Sequence, residues 1–367
     1  MPRILASISA HGFGHMAISA PVLDRLCELD PECRITVSSS VAEDVLQSRI
    51  RCPFELVPDP LDFGLRMNRD LSVDVAATVC AYREIHADWE GQVRRRAEWL
   101  LDSRFDLVLA NISCLNIAAA HRAGIPSIAL APLNWADLYR YFAPDTPASA
   151  AVFTQMRDAY NRSRVFLAPR PCMPMPNFHN VEVIEPIAQV GRGHSGMLRE
   201  LFGLEASTKL LLLALGGQEA DFRSEDLPVV PGTCWIADEK WGLDRDDILP
   251  SSGTGLTFPD LLASCDVLVG KPGYGAFVEA ACLGKPVVYM PRPGWPEETC
   301  LIEWLERHLP CRESPRGDSA ALESAIRAVM GAPPLRACAP DGIEAAVRHI
   351  LAYLPDRAST SGLTAEQ

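Results

Sequence analysis

The chain has 367 residues, 48% hydrophobic content and a formal net charge of −13. That content fills cores and excludes disorder, and the length suits two ordinary domains better than one. The acidic balance argues against a nucleic-acid partner, because phosphate backbones call for a basic face; the one tight basic run, Arg94-Arg95-Arg96, sits among acids and reads as a solvated helix face.

The chain opens with a short apolar strand, Ile4 to Ile8, with no charged head and long apolar core before it, so no signal peptide is read. No apolar run approaches the roughly 20 residues of a membrane helix. A cytoplasmic location is expected, with peripheral membrane contact left open. The 12 cysteines form no Cys-x-x-Cys pair and fall mostly in apolar segments (Cys80, Cys114, Cys265, Cys282), which suits buried thiols better than disulfides or zinc.

After the first strand comes His11-Gly12-Phe13-Gly14-His15, and then a helical stripe from Met16 to Leu29 with Pro21 in its first turns. Strand, glycine loop and helix together open a nucleotide-fold βαβ unit. Arg34 to Ser38 is the next strand. Prolines break residues 41–75 into short pieces, and Asp62-Phe63-Gly64 reads as a loop. One long helix is expected from about Ser72 to Leu101. A buried strand follows at Phe105 to Ala110, then a helix from Asn111 to Arg122, and a strand at Ser127 to Leu130.

One pattern recurs. Ala123-Gly124-Ile125-Pro126 and Leu283-Gly284-Lys285-Pro286 each end a helix, cap it with glycine and lead into a strand. The copies stand about 160 residues apart, the scale of a domain. Two similar α/β halves are therefore expected, joined through the proline-rich residues 168–186. The boundaries read as 1–190 for the first domain, 191–340 for the second, 341–356 for a C-terminal helix and 357–367 for a disordered tail. The second half begins with a continuous apolar strand, Lys209 to Leu215, ending in Gly216-Gly217-Gln218; Thr233 to Ala237 and Pro259 to Cys265 read as a strand and a short helix.

Next comes Asp266 to Gly270 as a strand, Lys271-Pro272-Gly273-Tyr274-Gly275 as a glycine turn, and a helix start bearing Glu279. Backbone N–H groups at such a start suit an anion, and Glu279 lies about one turn further in. Taken alone, the stretch fits equally a tight turn with a solvated glutamate. Three glycine turns, one from the first half and two from the second, predict a ligand cleft between the halves. His11 and His15 could handle a proton there. Hydrogen bonding within the loop, or a metal pair, are the alternatives, and metal is disfavoured because the four-residue spacing suits it only when both residues are helical. Trp135 and Asp137 follow a strand and could shape a pocket or simply pack a loop. Glu297-Glu298 could bind sugar hydroxyls or serve as helix N-terminal acids. No Gly-x-Ser-x-Gly, Walker or His-Glu-x-x-His motif is present.

In order and spacing, these motifs resemble the GT-B glycosyltransferases, of the UDP-glucosyl/glucuronosyl type and the peptidoglycan N-acetylglucosaminyltransferase. They resemble most of all the glycosyltransferase-like N-terminal region of plant L-arabinokinases. The likeness covers most of residues 3–310. It implies a fold of two Rossmann-like domains facing across a cleft, with the donor held mainly by the second. The implied reaction moves a sugar from a nucleotide-diphosphate donor, with uridine the base by family habit, to an acceptor hydroxyl, inverting and without metal or cofactor. The acceptor, whether small molecule, lipid or protein, is not implied. Gly12, Gly14, Gly216, Gly217, Gln218, Lys271, Gly273, Tyr274 and Gly275 would face the donor. Glu279 would take the ribose and Glu298 the donor sugar. His15, or second His11, would be the base, with Asn111, Trp135 and Asp137 on the acceptor side. Asn111 stands where some relatives carry an aspartate behind the histidine, so an amide would orient the imidazole without stabilising its charge. No kinase half follows, so sugar phosphorylation is not supported. An epimerase of the same fold and a non-catalytic nucleotide-sugar sensor are the competing expectations.

Overall fold

The computed structural model describes residues 1–216, 222–292, 294–333, 335 and 337–355. Gly217 and Gln218, and the expected tail, lie outside them. In the first half, β1 (Arg3–Ile8) leads into α1 (Phe13–Leu29), β2 (Arg34–Ser38), α2 (Glu43–Gln47) and β3 (Phe54–Val57). Then come α3 (Val75–Ala87), α4 (Trp89–Asp102), β4 (Leu107–Asn111), α5 (Cys114–Ala123) and β5 (Ser127–Leu130). The half closes with α6 (Trp135–Phe142), α7 (Pro147–Tyr160), β6 (Val165–Pro169) and β7 (Val181–Ile184). These strands form one parallel sheet in the order β3-β2-β1-β4-β5-β6-β7. The central strands are mostly apolar because helices cover both faces; β4, β5 and β6 are buried at every residue.

The second half runs α8 (Ser195–Leu201), β8 (Lys209–Ala214), β9 (Thr233–Ala237), β10 (Ile248–Pro250) and α9 (Phe258–Ser264). It continues through β11 (Val267–Gly270), α10 (Tyr274–Leu283), β12 (Val287–Tyr289), α11 (Glu297–His308), β13 (Cys311–Glu313) and α12 (Ser319–Met330). Its parallel sheet has the order β10-β9-β8-β11-β12-β13. Gly124 and Gly284 end α5 and α10 in left-handed conformations (φ 72° and 66°), so the repeated motif is the same helix cap in both halves. The last helix, α13 (Gly342–Ala352), returns to pack on α1 and β7 of the first half. Gly342 makes this possible, because a Cβ there would stand 2.0 Å from the Glu185 carbonyl oxygen.

Four expectations are corrected. The helix expected over Ser72–Leu101 is two helices, broken at Asp88, where His86 stacks on Trp89 with centroids 4.6 Å apart. The proline-rich stretch 168–186 carries β7, a seventh strand, and is not only linker. Helix α1 starts at Phe13 and not Met16, which places Pro21 in its interior, where it removes a backbone donor. Cys80 is exposed, not buried.

Candidate functional site

In each sheet the strand order reverses beside the first strand, between β1 and β4 and between β8 and β11. Ligands of open α/β sheets bind at such switch points, beyond the carboxyl ends of the strands. Both switch points here face one cavity of about 420 Å³, lined from the first half by His11 to Ile18 and Arg49 and from the second by Gly216, Lys271 to Ala276, Arg292, Trp295 and Glu297.

Helices α1 and α10 start at this cavity. Their N-caps, Gly12 and Gly273, have extended backbone and no capping side chain, and neither helix has an acid in its first turn. A Cβ on either cap would meet nothing within 4 Å, so the backbone is open to a ligand. The two helices touch just behind these caps. A Cβ on Gly275 would lie 2.8 Å from the Ala17 Cβ, so only glycine lets them meet. Two sets of first-turn N–H groups, with their partial positive charge, thus open on one space. Gly216, at φ +79°, ends β8 so tightly that a Cβ would lie 2.8 Å from Lys271 Cε. Burial first, then Arg292, push the Lys271 amine down to about 7, against the opposing pull of Glu297 and Glu298.

The two histidines differ in tautomer. Asn111 Nδ2 donates to the His15 carbonyl oxygen at 2.9 Å and to Ser19 Oγ at 3.0 Å. A carbonyl only accepts, so this contact fixes the amide orientation and places Oδ1 against His15 Nδ1, 2.8 Å away. Nδ1 therefore carries the proton and Nε2 keeps its lone pair. At His11 the order is reversed: Leu65 N–H donates to Nδ1 at 3.3 Å, so in the neutral ring Nε2 is the donor. Burial lowers His15 to about 4, with the Asn111 bond opposing. Burial, followed by the His15, Lys271 and Arg292 charges, holds His11 well below the ordinary histidine range.

Aromatic rings hold both imidazoles. His11 stacks on Trp295 of the second half, 5.5 Å between centroids at 5°, and meets Trp135 edge-on at 5.0 Å. Trp135 also contacts His15 at 5.4 Å. Trp135 Nε1 donates to Asp62 Oδ1 at 3.2 Å. Burial, then the Asp59 carboxylate, raise the Asp62 carboxyl to about 7.

His11, Gly12, Gly14, His15, Gly216, Lys271, Gly273, Tyr274 and Gly275 are brought together around the cavity, and Asn111 and Trp135 stand directly behind the histidines. Other expected site residues have side chains engaged elsewhere. Asp137 lies in the first turn of α6, which Asn134 caps: the Asp137 N–H donates to Asn134 Oδ1 at 2.7 Å, and the Asp137 carboxylate accepts from Asn134 Nδ2 and Asn177 Nδ2. It is not part of the cavity wall. The Tyr274 hydroxyl is committed between the halves, accepting from Ile187 N–H and donating to the Arg170 carbonyl, both at 3.1 Å. Glu298 points to Arg292, and Glu297, which accepts from Trp295 Nε1 at 3.1 Å, is the acid at the cavity. Glu279 is fully buried, and both its oxygens accept from Arg49. Arg49, Arg292, Trp295 and Asp62 escaped the sequence reading. Asp62, Arg292 and Trp295 each lie in the loop beyond a strand and Arg49 just after α2, and no motif marks them.

Among the described residues no group of three or more potential metal ligands gathers, and no helix is long and apolar enough to cross a membrane.

No family model matches the chain. It is 24% identical over 305 residues to the L-arabinokinase of Arabidopsis thaliana, covering 82% of this chain and spanning only 29% of that protein's length. Solved structures show the same fold. The glycosyltransferase of kitacinnamycin aligns with TM-score 0.64 and 18% identity over 96% of this chain and 100% of its own. The calicheamicin glycosyltransferase CalG4 aligns at 0.57 and 15%, over 96% and 95%. The UDP-GlcNAc 2-epimerase of Neisseria meningitidis, bound to UDP-GlcNAc, aligns at 0.56 and 13%, over 95% and 100%. The chain has the two-domain GT-B fold, which glycosyltransferases share with these epimerases.

Proposed function

We propose that the chain transfers a glycosyl group from a nucleotide-diphosphate sugar, with uridine the favoured base, to an acceptor hydroxyl, with inversion and without a metal ion. The observation that carries this reading is the opposition, in one cavity, of an anion-binding wall and an imidazole with a free Nε2 lone pair. The wall comprises the N-terminus of α10 and Lys271, and it receives the diphosphate. His15 Nε2 takes the acceptor proton, the acceptor oxygen bonds to the anomeric carbon, and the bond from that carbon to the diphosphate oxygen breaks. Attack from the face opposite the leaving group gives inversion. His11, held between Trp135 and Trp295, forms the cavity wall beside His15. Glu279 meets the ribose only once Arg49 gives way, so donor entry is coupled to movement of the two halves.

His15→Ala is expected to abolish most turnover and leave donor binding nearly unchanged; unchanged turnover would remove His15 from the mechanism. A thermal-shift panel of nucleotide sugars identifies the donor, because binding stabilises the folded state by mass action.

An epimerase is the second reading, since a solved 2-epimerase aligns nearly as well as the transferase CalG4. Incubating a labelled nucleotide sugar with no acceptor separates the two, because only an epimerase converts the sugar.

A further inference from the structure

Arg292 lines the cavity and has no task in the reaction above. Its side chain is only 7% exposed. Its backbone N–H donates to Glu298 Oε2 at 2.9 Å, Nε donates to Glu298 Oε1 at 2.6 Å, and Nη2 donates to the Pro272 carbonyl at 3.1 Å. The guanidinium carbon lies 4.5 Å from the Trp295 ring centroid. A guanidinium has five N–H donors. Among the described residues none accepts from Nη1, so a buried cation keeps unused donors at the cavity. Nη1 is not among the fully buried atoms without a partner, so its donors open onto the cavity.

The anchor point supplies the direction. Pro272 immediately precedes Gly273, the uncapped N-cap of α10. Arg292 is therefore fastened at the edge of the same turn whose amides are open, with Lys271 on that turn as well. Glu298 grips two of its donors and Trp295 covers its face, so the fork cannot swing to solvent. Among the acids nearby, Glu298 is committed to Arg292 and Glu297 to Trp295.

We infer that Arg292 is a leaving-group ligand: its Nη1 and the Lys271 amine grip the diphosphate together, two fixed cations where other enzymes use a divalent metal, and Glu298 positions Arg292 instead of the sugar. The role in catalysis rests on the nucleotide-sugar reading. The anion chemistry does not, because two cations beside a helix N-terminus bind inorganic pyrophosphate whatever nucleoside the cavity accepts.

The test is calorimetric titration of the full chain, in EDTA, with pyrophosphate, UDP and uridine. Wild type is expected to bind pyrophosphate, and to bind UDP more tightly than uridine. Arg292→Gln should weaken pyrophosphate and UDP by roughly tenfold to a hundredfold and leave uridine unchanged. Because that variant strands the buried Glu298 carboxylate, Arg292→Gln/Glu298→Gln, which keeps a neutral hydrogen-bonding pair, is measured beside it and should show the same loss at a Tm near wild type. Unchanged pyrophosphate and UDP affinities in the folded variants overturn the inference. So does an equal loss for uridine, which would mark Arg292 as structural only. Wild type that binds pyrophosphate and no nucleotide sustains the clamp and refutes the nucleotide-sugar reading. Wild type that binds nucleotide sugars but gains nothing from their phosphates does the reverse.

Discussion

Arg49 and Glu279 form a buried ion pair across the cleft: Nη1 donates to Oε1 at 2.5 Å and Nη2 to Oε2 at 3.3 Å, with side chains 7% and 0% exposed. Arg49 follows α2 in the first half, and Glu279 lies inside α10 in the second. Gln189, from the connecting segment, completes the cluster, donating to the Arg49 carbonyl and accepting from its guanidinium. Burial raises the Glu279 carboxyl despite Arg49, so solvent removal costs this group more than its partner returns.

Removing one member of such a pair leaves the other charge buried. Arg49→Met is expected to destabilise the chain by about 3–5 kcal/mol, whereas Arg49→Met with Glu279→Leu should restore most of the loss. Urea unfolding of the wild type and both variants checks this. A double variant as unstable as the single one would show that the pair holds the halves in register by more than charge balance.

Asn111 predicts an unusual acid limb. As the proposed base His15 acts when neutral, and its protonation is displaced down to about 4, so activity should persist as pH falls well below the ordinary histidine range. Asn111→Asp places a carboxylate on Nδ1 and should move the acid limb of kcat/KM up by about one to two pH units. The measurement is a pH–rate profile of both proteins at saturating acceptor. An unmoved limb would mean that another group sets it.

Much of the fold was legible because parallel strands covered on both faces are continuous apolar runs, and because glycine must close the helices and turns between them. Arg34–Ser38 and Thr233–Ala237 are strands at their expected limits. The cavity wall was legible where backbone forms it, at Gly12, Gly14, Gly273 and Gly275. It was not legible where a side chain's task depends on a distant partner. Glu279 and Glu298 read as ligands because nothing near them in the chain announces Arg49, 230 residues away, or reveals that Arg292 holds the second acid. At Asp137 the opposite holds: an Asn followed three residues later by an acid is a helix-start signal, and Asn134 caps α6 through the Asp137 N–H.

The Asp137 carboxylate braces that cap from outside the cavity. Asp137→Ala removes the carboxylate that accepts from Asn134 Nδ2 and Asn177 Nδ2 while leaving the cavity wall intact. The Asn134 cap on the backbone N–H survives, and stability should fall by about 1 kcal/mol, the scale of a lost side-chain hydrogen bond, with donor affinity unchanged. Chemical denaturation and a donor titration are read together, and a loss of affinity at unchanged stability would return Asp137 to the substrate.

The proposed contact of the diphosphate with Lys271 ties its binding to pH. In the empty cleft burial, and after it Arg292, bring its amine to about 7 from an ordinary value of 10.5. The unfolded chain therefore holds more protons than the folded one between those values, and the ligand-free fold should gain stability as pH rises from about 7 toward 10. Binding has the opposite slope. A diphosphate stabilises the charged amine, so above pH 7 each binding event must take up a proton, and affinity should fall by up to tenfold per pH unit between 7 and 9. Calorimetry of UDP at pH 8 in two buffers of different ionisation heat counts the protons taken up, and Lys271→Met should bring the count toward zero while flattening the pH dependence of both stability and affinity. Wild-type affinity that stays level across this range, with no proton uptake, would show that the diphosphate does not meet this amine.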